Sequence, residues 1–260
     1  MMNCSIKIDN VSMRYGEKLA LDGVTLDIPE GTIYGILGPN GSGKTTLMRI
    51  ILGLLKQTAG SAIVCGYDST RDQMKIKEIS GYVPETPILY ESMTPSELFS
   101  FIASIRRMDE GTFRRRVDAL IDAFGIAEYI NEFIGSLSFG NRQKVAIISA
   151  ILHDPKILIV DEGINGLDPR SAKLFKSILT DMRDHGKIIV FSTHILEIAE
   201  SLCDHVAILY NGHIVANGTI ADLRNEANAP SQNLEEIFLK LTNADDIPEV
   251  ARYLRDEIEH

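Results

Sequence analysis

Two short segments carry residues whose types and spacing could act on a nucleotide. Residues Gly38 to Thr45 read GPNGSGKT and satisfy G-x-x-x-x-G-K-[ST], a loop whose inward backbone N–H groups cradle phosphates at a helix N-terminus. Gly38, Gly41 and Gly43 allow the tight bend, while Pro39, Asn40 and Ser42 complete the loop. Lys44 would reach the β- and γ-phosphates as a point charge, the Thr45 hydroxyl would ligate Mg²⁺, and Thr46 continues the helix. The second segment, Ile157 to Glu162, is an apolar run ending in two carboxylates. Asp161 would hold the hydration shell of Mg²⁺, and Glu162 would accept a proton from an attacking water. A solvent-exposed turn is the alternative for Asp-Glu-Gly at that place.

These groups act together only if the fold brings both segments to one edge of a sheet. Ile33–Leu37 reads as a buried strand before the loop, and Thr45 to Leu55 as a helix ending near Gly60. Ile157 onward has the unbroken hydrophobicity of a strand covered on both faces, and Lys187 to Phe191 reads as another strand. Between the two chemical segments lies Leu137-Ser138-Phe139-Gly140-Asn141, followed by the apolar-periodic stretch Val145 to Leu152. Ser138 is a good N-cap, and the free N–H groups from Gly140 onward would form an anion site.

With this element in its place between the loop and the acidic strand, the chain resembles the nucleotide-binding subunits of ABC transporters over about residues 3 to 220. Their signature reads L-S-G-G-Q; here Leu137, Ser138 and Gly140 are kept, with Phe139 and Asn141 at the departures. The resemblance implies an α/β fold: a P-loop NTPase core of mainly parallel sheet, an antiparallel β edge subdomain and an inserted α-helical subdomain. It implies ATP and Mg²⁺ as ligands. It also implies a head-to-tail dimer in which each ATP lies between one chain's phosphate loop and the other's Ser138 and Gly140. Tyr15 matches the aromatic that stacks on adenine, His194 the switch histidine at the γ-phosphate, and Asp168 the loop that bridges the two domains. Glu85 in Gly81-Tyr82-Val83-Pro84-Glu85 stands where the family usually has glutamine, as also occurs in exporter-like members. Its charge would hold Mg²⁺ more strongly and add negative charge near the γ-phosphate. Gly163 replaces the common proline and would loosen the turn that aims Glu162. The two departures together imply slow hydrolysis, which Gly163→Pro should accelerate.

The resemblance divides the chain into an ATP-binding domain, residues 1–220, with a helical subdomain at about 86–152, and a C-terminal helical tail, 221–260. Thr94-Pro95-Ser96-Glu97 is a helix start, with helical periodicity over Ser96 to Met108 and Phe113 to Phe124. Asn211-Gly212 between Val206–Leu209 and Ile214–Ala216 signals a hairpin, and Asn233 to Leu241 is amphipathic. Asp245 to His260 reads as a charged helix. In the family a membrane-spanning partner, a separate chain, docks near the segment that here holds Ile88, Leu89, Tyr90, Met93 and Phe99. Core packing beneath the insertion explains those residues equally well.

A net charge of −10 opposes broad binding to nucleic acid. The lack of a leader or of a long apolar stretch reads as a chain soluble by itself, and the cysteines fit a reducing cytosol; the resemblance implies a cytoplasmic protein, peripheral on the cytoplasmic face of the membrane. Cys4, Cys65 and Cys203 are far apart, without a C-x-x-C pair, and predict neither zinc nor a disulfide. The remaining histidines have no metal-like spacing. Sequence leaves three functions open: a transport ATPase of export type, pairing as a homodimer or heterodimer; a soluble ABC-type ATPase not coupled to transport; and a nucleotide-binding regulator with little turnover.

Overall fold

A computed structural model of the 260-residue chain describes residues 4–226 and 234–241. Two sheets form the frame. Strands β1 (Ile6–Tyr15), β2 (Lys18–Ile28), β4 (Ala59–Val64) and β5 (Tyr67–Asp68) make an antiparallel sheet in the order β2-β1-β4-β5. β1 buries Ile6, Ile8, Val11 and Met13, so only one face of this sheet meets the core. The second sheet has six strands, β10-β9-β3-β8-β7-β6, and all pair in parallel except β10. Its central members β3 (Thr32–Leu37), β7 (Ile157–Asp161) and β8 (Ile188–Thr193) are buried at every residue, which explains their unbroken apolar runs.

The helix after the phosphate loop, α1 (Lys44–Ile51), fills the space between the sheets. Leu47, Met48, Ile50 and Ile51 join one core with Ile8 and Leu26 of the antiparallel sheet and Ile36, Ile159 and Val190 of the parallel one. A short helix, α2 (Gln73–Ile79), leads into β6 (Ser80–Val83). The other face of the parallel sheet is covered by α3 (Pro95–Ile105), α4 (Glu110–Phe124), α5 (Phe139–Ile151), α6 (Pro169–Asp184) and α7 (Leu196–Leu202) around a second core that includes Phe99, Phe124, Val145, Phe175 and Phe191.

α3, α4 and α5 follow one another between β6 and β7. A capping box starts α3: Thr94 Oγ1 accepts from the Glu97 N–H, and the Glu97 carboxylate accepts from the Thr94 N–H. Arginines tie α3 to the α2–β6 segment and α4 to the end of α5. Arg106, just past α3, donates to the carbonyls of Lys77 and Ser80, and Arg116 on α4 donates to those of Leu152 and Ile151.

Strands β9 (His205–Tyr210) and β10 (His213–Gly218) form the expected hairpin, with Asn211 and Gly212 both at positive φ. After α8 (Ile220–Glu226), α9 (Leu234–Leu241) buries Leu234 and Ile237 against the second core. The amphipathic tail segment is therefore a docked helix. The charged segment expected from Asp245 to His260 lies outside the described residues.

Two expectations are corrected. The helix after the phosphate loop stops at Ile51 rather than near Gly60, because Gly53 turns to φ +62 and Gly60 belongs to β4. Cys4 and Cys65 are joined in a disulfide, 61 residues apart in sequence. Their separation hides the pair, but antiparallel register opposes Ile6 to Val64 and so brings the flanking cysteines together. Cys203 is free and buried, and burial pushes its thiol up to about 12.

Candidate active site

Parallel register aligns the chemistry. Leu37 pairs with Thr193, Asp161 with Ser192, and Val83 with Val160, so β3, β8, β7 and β6 all end along one edge. The residues just beyond those ends are the phosphate loop, His194, Glu162 and Glu85. Such carboxyl ends are where open α/β sheets bind ligands.

A cleft of about 310 Å³ opens at this edge, lined by Tyr15, Asn40, Gly41, Gly43, Lys44, Thr45, Thr46, Glu85 and Glu162. Lys18 and Ala20 of β2 also line it and were not foreseen. The pairing of Tyr15 with Lys18 across the β1–β2 turn brings them there, and only the intervening Gly16-Glu17 hints at that turn. Tyr15 is 46% exposed, leaving a ring face open at the mouth of the cleft.

Inside the loop, Gly43 has φ +113, and a side chain there would meet the Ala20 carbonyl at 2.6 Å. Glycine is therefore required for both conformation and space. Lys44 is buried; its Nζ donates to the carbonyls of Gly38 at 2.8 Å and Pro39 at 3.1 Å and stands 3.7 Å from Glu162 Oε1. Burial lowers the Lys44 pKa, opposed by the negative charges of Glu162, Asp161 and Glu85. Of these, Glu162 is the carboxylate within ion-pair distance of the ammonium. Ser42 Oγ is buried without a protein partner.

Asp161 is buried and accepts a 2.6 Å hydrogen bond from Ser192 Oγ, which fixes its carboxylate. Thr45, Asp161 and Glu85 are hard oxygen donors of the kind Mg²⁺ takes. No three His, Cys, Asp or Glu side chains gather as a metal site among the described residues. A Mg²⁺ here would be held by one or two carboxylates and completed by nucleotide phosphates and water.

Glu162 lies just past the end of β7, buried, with φ +52, a backbone region that non-glycine residues seldom occupy. Its Oε2 is 2.9 Å from His194 Nδ1 and accepts from Asn165 Nδ2 at 3.3 Å. Its N–H meets Ser192 Oγ at 3.2 Å. A carboxylate beside a half-exposed imidazole, at the phosphate end of the cleft, is placed to receive a proton from water.

Gly163 has a different role from the one expected. A Cβ at this position would stand 2.6 Å from Val83 Cγ1 and 2.9 Å from Val160 Cγ1, both buried in neighbouring strands. The Gly163 carbonyl also accepts a buried 2.9 Å bond from Gln143 Nε2. The turn is packed rather than loose, so the expected gain from Gly163→Pro has no physical basis here.

Ser138 caps α5, accepting from the Asn141 N–H at 3.3 Å, and is exposed. Neither it nor Gly140 lines the cleft of its own chain. Asp168 caps α6 through Ser171 and pairs with Lys144 Nζ at 2.8 Å. Lys144 and these cap bonds hold its carboxyl well below the usual carboxylate range. Of the residues beside the supposed partner site, Phe99 is fully buried, whereas Ile88 and Tyr90 are strongly exposed.

The family model described as ABC transporter matches residues 21–165. The chain belongs to the ABC transporter family. This ABC-family chain is 34% identical over 240 residues to the ABC transporter ATP-binding protein NatA of Bacillus subtilis, covering 90% of this chain and 96% of that protein. A solved ATP-binding subunit of an ABC transporter superposes with a TM-score of 0.88 at 32% identity, covering 91% of this chain and 99% of the other. The ATP-binding cassette MJ0796, solved as a post-hydrolysis dimer with ADP and phosphate, gives a TM-score of 0.75 at 26% identity, over 83% and 98% of the two chains. The chain is an ABC ATP-binding subunit and an ATPase, with the mixed, mostly parallel sheet of that fold. No helix among the described residues is long and apolar enough to cross a membrane.

Proposed function

We propose that this subunit drives transport, in the direction of export, through a separate membrane-spanning partner, and that two copies close head to tail around two Mg-ATP. One observation carries the reading. The exposed amino end of α5, with Ser138 as its cap, is built to meet an anion, yet it does not line the cleft that holds Lys44 and Glu162 in its own chain. A second copy turned head to tail would offer that end to the γ-phosphate.

In this assembly Tyr15 stacks on the base, and Lys44 and the loop N–H groups offset charge that develops on the transferred phosphoryl. Thr45, Asp161 and Glu85 would hold Mg²⁺, which supplies charge neutralisation at the phosphates. Glu162 takes the proton from the attacking water while His194 orients its carboxylate. Loss of the γ-phosphate removes the bond to the opposite Ser138 cap, and the dimer opens.

Coupling to a membrane partner is supported by an apolar groove of about 380 Å³. Leu52, Leu54, Tyr82, Ile102 and Ile105 line it between the sheet edge and α3, with Arg106 at its side. Ile88 and Tyr90 extend exposed apolar surface nearby in sequence. Such a chain works from the cytoplasmic face of a membrane. Glu85, the exporter-like choice at its position, favours outward transport.

The decisive measurement uses Glu162→Gln. The variant is expected to lose turnover by about a hundredfold or more while keeping ATP binding, and to run as a dimer on size exclusion with ATP but not with ADP. Wild-type ATPase activity per chain should rise with protein concentration. A Glu162→Gln monomer in saturating ATP, together with concentration-independent wild-type turnover, contradicts the dimer. Co-purification of a polytopic protein from detergent-solubilised membranes tests the partner.

A further inference from the structure

The first two turns of α5 do more than present an exposed cap: they grip the loop that carries Glu162 in the same chain. The Phe139 ring lies on Gly166, so closely that a Cβ added there would sit 2.4 Å from Phe139 Cε1 and 2.5 Å from Cδ1. One residue on, Gly140 passes the Gly166 carbonyl, which a Cβ would meet at 2.9 Å. Gln143 Nε2 holds the Gly163 carbonyl at 2.9 Å, and Lys144 Nζ holds Asp168 Oδ2 at 2.8 Å. These residues recur at helical spacing and so share one side of the helix.

The connection to chemistry is short. Gly166 follows Asn165, whose N–H donates to the Glu162 carbonyl at 3.1 Å and whose side chain donates to Glu162 Oε2 at 3.3 Å. Glu162 itself sits at φ +52, a strained choice for a side-chain-bearing residue, which persists only when its surroundings over-determine it. On its other side Phe139 lines a recess of about 230 Å³ with Thr86, Pro87, Ile88 and Leu89, the segment directly after Glu85. The ring thus meets the loop after Glu162 directly and shares a recess with the segment after Glu85.

We propose that Phe139 is a positioning residue: its ring clamps Gly166 and thereby holds Asn165 and the Glu162 carboxylate in their working orientation. This rests on Glu162 being the base. Phe139 is 41% exposed, so its contribution to stability is small and its effect falls on turnover. Gly166, at φ +80, is the matching half of the contact.

The test is a set of steady-state kinetics on Phe139→Ala, Phe139→Tyr, Gly166→Ala and the pair Phe139→Gly with Gly166→Ala, with Glu162→Gln as control. Phe139→Ala should lower kcat about tenfold with KM for ATP within about twofold of wild type, because only the aim of the base changes. Phe139→Tyr keeps the ring edge and should restore most of the rate. Gly166→Ala should also lower kcat, and removing the ring in the pair should recover part of that loss, giving non-additivity. Wild-type kcat in Phe139→Ala, in an enzyme that Glu162→Gln abolishes, overturns the inference alone. Normal turnover of Glu162→Gln overturns the base assignment instead. Loss of the ATP-dependent dimer when Phe139→Ala is added to Glu162→Gln would also overturn the inference, by making the ring a contact to the opposite chain.

Discussion

Filling the space above Gly163 should damage the enzyme in two measurable ways. An alanine Cβ would stand 2.6 Å from Val83 Cγ1 and 2.9 Å from Val160 Cγ1, against an unstrained carbon separation of about 3.8 Å. Both valines are stiff, fully buried members of adjacent strands, so neither can swing aside cheaply. Overpacking of this kind costs about 1–3 kcal/mol. For a chain of this size, about 2 kcal/mol lowers Tm by roughly 4–8 °C. If the backbone yields instead, Glu162 moves with it, and a displacement of about 1 Å can cost on the order of a hundredfold in rate. Gly163→Ala and Gly163→Pro are thus expected to lower both Tm and kcat. Calorimetry and phosphate release on the same preparations would check this. Val83→Ala removes the nearer methyl, so Gly163→Ala should cost less stability in that background than in wild type. A Gly163→Pro protein with unchanged Tm and faster turnover would refute the packing account and restore the view of a loose turn.

Further outcomes follow from groups away from the nucleotide. Burial and the charges of Arg106 and Arg116 push His153 down to about 4, opposed by its hydrogen bond to the Ser80 carbonyl and, less, by Asp154. Its folded pKa thus lies below the unfolded value near 6.5, so between these values the unfolded chain binds the extra proton and stability falls with falling pH. The loss should be about 2 kcal/mol at pH 5, and urea midpoints of His153→Gln at pH 7 and pH 5 should show a correspondingly smaller drop. The Cys4–Cys65 bridge closes a 61-residue span, so reduction or Cys65→Ser should destabilise the oxidised protein by up to about 4 kcal/mol. Thiol counting by mass spectrometry without reductant should then find Cys203 as the reduced one of the three.

Much of this site was legible because its residues sit on elements with strong local signals. The phosphate loop follows an all-apolar strand, the acidic pair ends another, and Ser138 stands where a helix cap belongs. Features that depend on distant pairing were not legible. Gly163 looked permissive in sequence, yet its meaning comes from Val83, which reaches it only through the β6–β7 pairing. Cys4 and Cys65 meet only through the β1–β4 register, and the Gln143 bond to Gly163 requires a helix and a strand end 20 residues apart to converge. Lys18 and Ala20 enter the cleft because a two-residue turn folds β2 back on β1.

The Arg106 tie constrains how α3 can tilt relative to β6. Arg106 fastens the carboxyl end of α3 to carbonyls at Lys77 and Ser80, while the amino end of that helix, at Pro95, is held by side chains of its own lobe and by Ile130. A turn of ten degrees that preserves the guanidinium bonds would leave the Arg106 end nearly still and carry the Pro95 end, about 16 Å away, through roughly 3 Å. A tilt of that kind would pivot α3 on one planar cation, Arg106. Replacing Arg106 would release that end of α3 without touching the nucleotide cleft.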